Sequence, residues 1–97
     1  MTIEADVSGP VWRWPGDQAW HFLTLPADLS DDIRASVPPR GFGSVRVTAS
    51  IGSTVWETSV FPDTRAGAFI LPMKATVRRA HGIQEDDVVT VHLRVRD

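Results

Sequence analysis

The amino-acid sequence predicts a mainly β fold: a small closed or split β-barrel of about six or seven strands, with two short helices and an internal pseudo-twofold repeat. Three observations point to it. Ser44–Ile51 and Val88–Arg96 alternate apolar and polar residues with the period of half-buried strands. Proline- and glycine-containing turn signals punctuate the chain at short intervals. Each half of the chain carries a Leu-Pro pair, then a short helix-like run, then an alternating strand.

The first element is read at Val11-Trp12-Arg13-Trp14. Pro15-Gly16-Asp17 follows, where proline presets the second position of a turn and glycine accepts the positive φ of the third. Ala19–Leu25 returns as a strand, which makes a hairpin. Pro26 ends it, since proline cannot donate to a ladder. Ala27–Val37 reads as a short helix. Asp28 or Ser30 is placed to accept from its free amides, and Asp31 and Asp32 suit the positive end of its dipole.

Pro38-Pro39 stops this helix, and Arg40-Gly41-Phe42-Gly43 is a loop. In the strand Ser44–Ile51, Val45, Val47, Ala49 and Ile51 share one face. Gly52-Ser53 turns the chain, and Thr54–Phe61 returns with Val55, Trp56, Val60 and Phe61 as its large residues. Residues 62–67 form a loop and Ala68–Leu71 another strand. Pro72 opens the second helix, about Met73–His81, with Met73, Val77 and Ala80 on one face and Gly82 where a left-handed C-cap is expected. In the last strand Val89, Val91, Leu93 and Val95 point inward.

The repeat has a definite spacing. Phe22-Leu23-Thr24-Leu25-Pro26 is echoed by Phe69-Ile70-Leu71-Pro72, with the Leu-Pro pairs 46 residues apart. Ile33-Arg34 matches Val77-Arg78, and Val45 and Val47 match Val89 and Val91, at a spacing of 44. Each half is then a strand–helix–strand unit, and two such units can close one barrel. The chain is expected to do so as a monomer.

The 97 residues make a single domain, residues 1–97, with 42% hydrophobic residues and four tryptophans for its core. There is no cysteine, which removes disulfides, thiolate metal sites and cysteine nucleophiles. No apolar run approaches the ~20 residues of a membrane span, and residues 1–10 are polar rather than a signal peptide. A cytoplasmic protein is expected. The net charge of −2 and pI of about 5.8 disfavour a protein that must neutralise phosphates.

The series Leu71-Pro72, Val77-Arg78, Gly82-Ile83 and Asp86-Asp87-Val88 resembles the swapped-hairpin element of AbrB and MazE, dimeric barrels to which each chain supplies half. The glycine–aspartate pairing usual in that element is replaced by Glu85-Asp86-Asp87. A longer series spans most of the chain. It begins with Trp20, Phe22 and Leu25-Pro26, and continues with Arg40-Gly41-Phe42-Gly43 and Ile51-Gly52. Trp56, Phe61-Pro62 and Leu71-Pro72-x-Lys74-Ala75-x-Val77-Arg78 complete it. This series resembles the DUF1905 family of domains of unknown function. The resemblance implies a small β-barrel related in fold to the AbrB type, and no established activity.

The candidate chemistry is sparse. His21, His81 and His92 lack a neighbouring nucleophile and a short shared metal-ligand spacing, so no catalytic residue, metal or cofactor is expected. Arg46, Arg94 and Arg96 with Lys74, Arg78 and Arg79 could line up as a basic stripe, but Asp28, Asp31, Asp32, Glu85, Asp86, Asp87 and Asp97 weigh against it. Arg40-Gly41-Phe42-Gly43 precedes a strand rather than a helix, unlike a phosphate-binding loop. The expectation is a non-enzymatic binding or interaction module for an unknown small molecule or protein. One alternative is a pocket for an anionic, partly apolar ligand, lined by Trp20, Arg40, Trp56, Lys74 and Arg78. The other is an AbrB-like nucleic-acid binder.

Overall fold

The computed structural model describes residues 3–16, 20–37 and 43–96. Asp17 of the first turn and Arg40, Gly41 and Phe42 of the loop lie outside these residues. The elements are β1 (Glu4–Pro10), β2 (Trp12–Arg13), β3 (His21–Thr24), α1 (Ala27–Ser36), β4 (Val45–Ile51), β5 (Thr54–Asp63), β6 (Ala68–Pro72), α2 (Ala75–His81) and β7 (Val88–Val95). The seven strands form one antiparallel sheet in the order β1-β7-β4-β5-β6-β3-β2. The sheet curls into a half-barrel, and β1 comes back against β3. The barrel is therefore of the split kind.

The period-two segments fold as their pattern dictates. Val45, Val47 and Ala49 of β4 and Val91 and Leu93 of β7 are buried, while Arg46, His92 and Arg94 face out. β6 adds Phe69 and Leu71, and β3 adds Leu23. Ile33 and Val77 cover the core from the helices. Full burial of each such side chain is worth about 1.5–3 kcal/mol.

The repeat is written in the strand register. Ala49 stands directly opposite Leu93, 44 residues later, and Thr24 opposite Ile70, 46 residues later. Positions equivalent in sequence thus face each other across β4–β7 and across β3–β6. This register is the one expected if β3–α1–β4 and β6–α2–β7 are equivalent halves.

Several elements differ from the sequence reading. β1 was not read from the sequence, although it alternates: Ala5, Val7 and Gly9 turn inward and Glu4, Asp6 and Ser8 outward, but two of the three inward residues are small and only Val7 is fully buried, and the strand pairs along its length with β7. Ser30 does not cap α1. Its hydroxyl accepts the Phe69 amide at 3.0 Å inside the core, while Asp28 Oδ1 accepts the Leu29 amide at 2.9 Å. α2 begins at Ala75 with Lys74 as its N-cap, and Ala80 is exposed. Gly82 ends it at φ 62°. Asp86 has φ 72°, a conformation that asparagine and aspartate tolerate better than other non-glycine residues. Its amide bonds Val11 O at 2.7 Å, which ties the β1–β2 junction to the start of β7.

Candidate functional site

Strands that bury one face leave the other to solvent, and there β2, β3 and β5 carry aromatic residues while β6 carries Ile70 and Pro72. The register places them side by side. Trp12 stands opposite Phe22, Phe22 opposite Pro72, and Ile70 opposite Phe61. The Met73 amide bonds His21 O at 2.8 Å, continuing the same register. One step further, Trp20 falls opposite Lys74. The Trp14 amide bonds Trp20 O at 2.8 Å, which brings the two tryptophans alongside.

The rings pack into a cluster. Phe22 is its centre, with Trp12 at 5.0 Å, Trp14 at 5.9 Å and 68°, and Trp20 at 6.1 Å and 65°, the last two edge-to-face. Trp12 is fixed by its indole N–H, which donates to Thr24 Oγ1 at 2.8 Å. Trp20 is 58% exposed, Phe61 39% and Trp14 36%. Between them lies an open cavity of about 470 Å³. Its floor is Phe22, Ile70, Pro72 and Met73, its walls are the Trp14–Trp20 side and Phe61, and its polar groups are His21, Asp63 and Lys74. That volume is in the range of small-molecule sites.

Two charges belong to it. The Asp63 carboxylate is buried and engaged by Arg65: Oδ1 accepts the backbone amide at 3.1 Å and Nε at 3.2 Å, and Oδ2 accepts an Nη at 3.4 Å. The same guanidinium lies 4.3 Å from the Trp14 ring centre and 5.7 Å from that of Trp12. Lys74 is exposed at the rim, and has no ion pair among the described residues.

Of the five residues predicted from the sequence, the structure brings together Trp20 and Lys74. Trp56 does not join them: it is 6% exposed, inside the half-barrel on the inner face of β5, with its indole N–H buried and unbonded. Arg78 donates from Nε to Met73 O at 2.9 Å and braces the β6–α2 joint beneath the cavity. Arg40 lies outside the described residues. Trp14, Phe61, Asp63 and Arg65 were missed. A signal existed for Phe61, which shares parity in β5 with Glu57 and Ser59 rather than with the buried Trp56 and Val60.

The histidines are dispersed. His21 Nδ1 is buried without a hydrogen-bond partner, and His81 Nε2 meets Thr54 Oγ1 at 2.9 Å. His92 lies between Asp6, at 2.8 Å from Nδ1, and Glu4, at 3.4 Å from Nε2, so the two carboxylates sit on opposite edges of the ring. The hydrogen bond to Asp6, and then the negative charge of both carboxylates, raises its pKa above the usual 6.5. The outward arginines also face acids: Arg94 approaches Glu4 at 3.7 Å, and Arg96 pairs with Glu57.

A family model described as a domain of unknown function, DUF1905, matches residues 8–93. The chain belongs to the DUF1905 family. No curated protein matches it. The matched span of this DUF1905 chain takes in β2 to α2 whole, and with them every residue that lines the aromatic cavity. Among the described residues no helix is long and apolar enough to cross a membrane.

Proposed function

We propose that this DUF1905 chain is a binding module for a small, partly apolar anion, held in the aromatic cavity on the outer face of β5, β6 and β3. One observation supports it above the rest: three large aromatic side chains surround an open cavity outside the core, with Lys74, which has no ion pair among the described residues, at its rim. A ring seated there covers apolar surface of Trp20 and Phe61, and an acidic group on it meets the Lys74 ammonium. The basic stripe supports a nucleic-acid reading less well, because Arg94 and Arg96 each face a carboxylate that already offsets their charge.

The test is calorimetric titration with naphthalene carboxylate as probe. A modest fit of about −0.3 kcal/mol per non-hydrogen atom puts its dissociation constant at about 1 mM. Trp20→Ala and Lys74→Ala should each weaken binding several-fold while circular dichroism stays native. Wild-type protein that shows no saturable binding would overturn the reading. So would a Trp20→Ala variant that binds equally well, or a dimer in sedimentation that covers Trp20.

A further inference from the structure

The cavity contains the makings of two opposite sites. Aromatic faces beside a buried carboxylate are the composition that recognises organic cations. Trp14, Phe61 and Asp63 supply it here, with Asp63 only 9% exposed. A lysine beside aromatic walls suits an anion instead. Which one operates depends on whether the Asp63 charge is free.

It is not free, because the chain provides its own cation. Arg65 stands two residues after Asp63 and sends three donors to its carboxylate, one from the backbone and two from the side chain. Its guanidinium is stacked against Trp14 at 4.3 Å, which holds it beside the carboxylate whose charge it takes up. Asp63 also lines a second cavity of about 320 Å³, to which Arg65, Trp12 and Arg13 contribute. Arg65 therefore approaches the carboxylate from the far side of the wall and leaves the first cavity open.

Lys74 completes the arrangement. It is the N-cap of α2 and makes no side-chain cap bond. Lysine is a poor choice there, since serine, threonine, aspartate and asparagine satisfy free amides and a cation opposes the positive end of the dipole. Local stability does not account for a lysine at this position, whereas a charge directed at a ligand does.

Resting on the cavity reading above, we infer that Arg65 is the charge-selecting residue of the site. It neutralises Asp63, closes the cavity to organic cations, and makes it selective for a flat aromatic carboxylate whose ring lies against Trp20 and Phe61 and whose acid group meets Lys74. Arg65 acts through Asp63 and Trp14 and is a positioning residue.

Two probes of matched shape and opposite charge test it: naphthalene carboxylate and naphthyltrimethylammonium, titrated at low salt into wild type, Arg65→Ala, Arg65→Lys and Lys74→Ala, with folding checked by circular dichroism. Wild type should prefer the carboxylate by about tenfold or more. Arg65→Ala, which bares Asp63, should reverse that preference by strengthening ammonium binding about tenfold. Arg65→Lys should retain the wild-type order, and Lys74→Ala should weaken the carboxylate alone. If the carboxylate binds wild type but Arg65→Ala leaves the ratio unchanged, or weakens both probes alike, the charge-selecting role is refuted and the cavity reading stands. If neither probe binds folded wild type, both fall.

Discussion

Trp20 and Trp56 offer a direct comparison, because the same substitution at each should differ several-fold in its cost. Trp56 is 6% exposed and Trp20 58%. A tryptophan offers roughly 250 Å². About 235 Å² is then buried at Trp56 and about 100 Å² at Trp20, worth ceilings of about 6 and about 2.5 kcal/mol at ~25 cal/mol per Å². Substitution by alanine recovers part of this, so Trp56→Ala should cost about 3–5 kcal/mol and Trp20→Ala about 1–2 kcal/mol. A domain of this size has on the order of 5–15 kcal/mol in total, and 1 kcal/mol moves its midpoint by about 4–8 °C. Trp56→Ala should therefore melt at least ~12 °C lower or fail to fold, and Trp20→Ala should melt within ~15 °C of wild type and fold fully. Thermal unfolding followed by far-ultraviolet circular dichroism avoids the lost fluorophore. A Trp20→Ala variant as unstable as Trp56→Ala would mean that Trp20 is a core residue, and the argument for an outward site would fail.

Three further outcomes follow from the geometry. Carbon-detected titration of His92 should give a pKa above 6.5, brought down by Asp6→Asn. The raised value means that this contact's contribution to stability is fully present below the unfolded pKa and is lost as pH rises through the folded one. Ser30→Ala leaves the Phe69 amide unbonded in the core, so urea unfolding should show a loss of about 1–3 kcal/mol. At Asp86, with φ 72°, substitution by valine should cost about 1–2 kcal/mol by thermal melting, whereas glycine should be tolerated with little loss.

How much of this was legible depended on whether a residue's fate was decided locally. Val45, Val47, Val91 and Leu93 were readable because period two alone fixes their face, and the spacings of 44 and 46 returned as cross-strand pairs. β1 was not, because two of its three inward positions are the small residues Ala5 and Gly9, which leaves Val7 alone as an apolar signal in an otherwise polar segment. Trp20 and Trp56 look alike in sequence, yet one is on the outer face of β3's extension and the other on the inner face of β5. Val55 and Trp56 are adjacent, and nothing in the residue types says which turns inward: Val55 is 63% exposed. Lys74 and Trp20 met because the register of β3 and β6 continues past both strand ends, a long-range fact. The Asp63–Arg65 pair was hidden for another reason. Its meaning comes from the Trp14 ring it leans on, about 50 residues earlier in the chain.

The central claim is that ligands enter the outer aromatic cavity and leave the core alone. The four tryptophans give four indole N–H signals in a proton–nitrogen correlation spectrum, so titration with naphthalene carboxylate reads both places at once. Those of Trp14 and Trp20 should shift and saturate together while that of Trp56 stays still. A shift confined to Trp56, or no shift in any of the four up to the probe's solubility, would contradict the account.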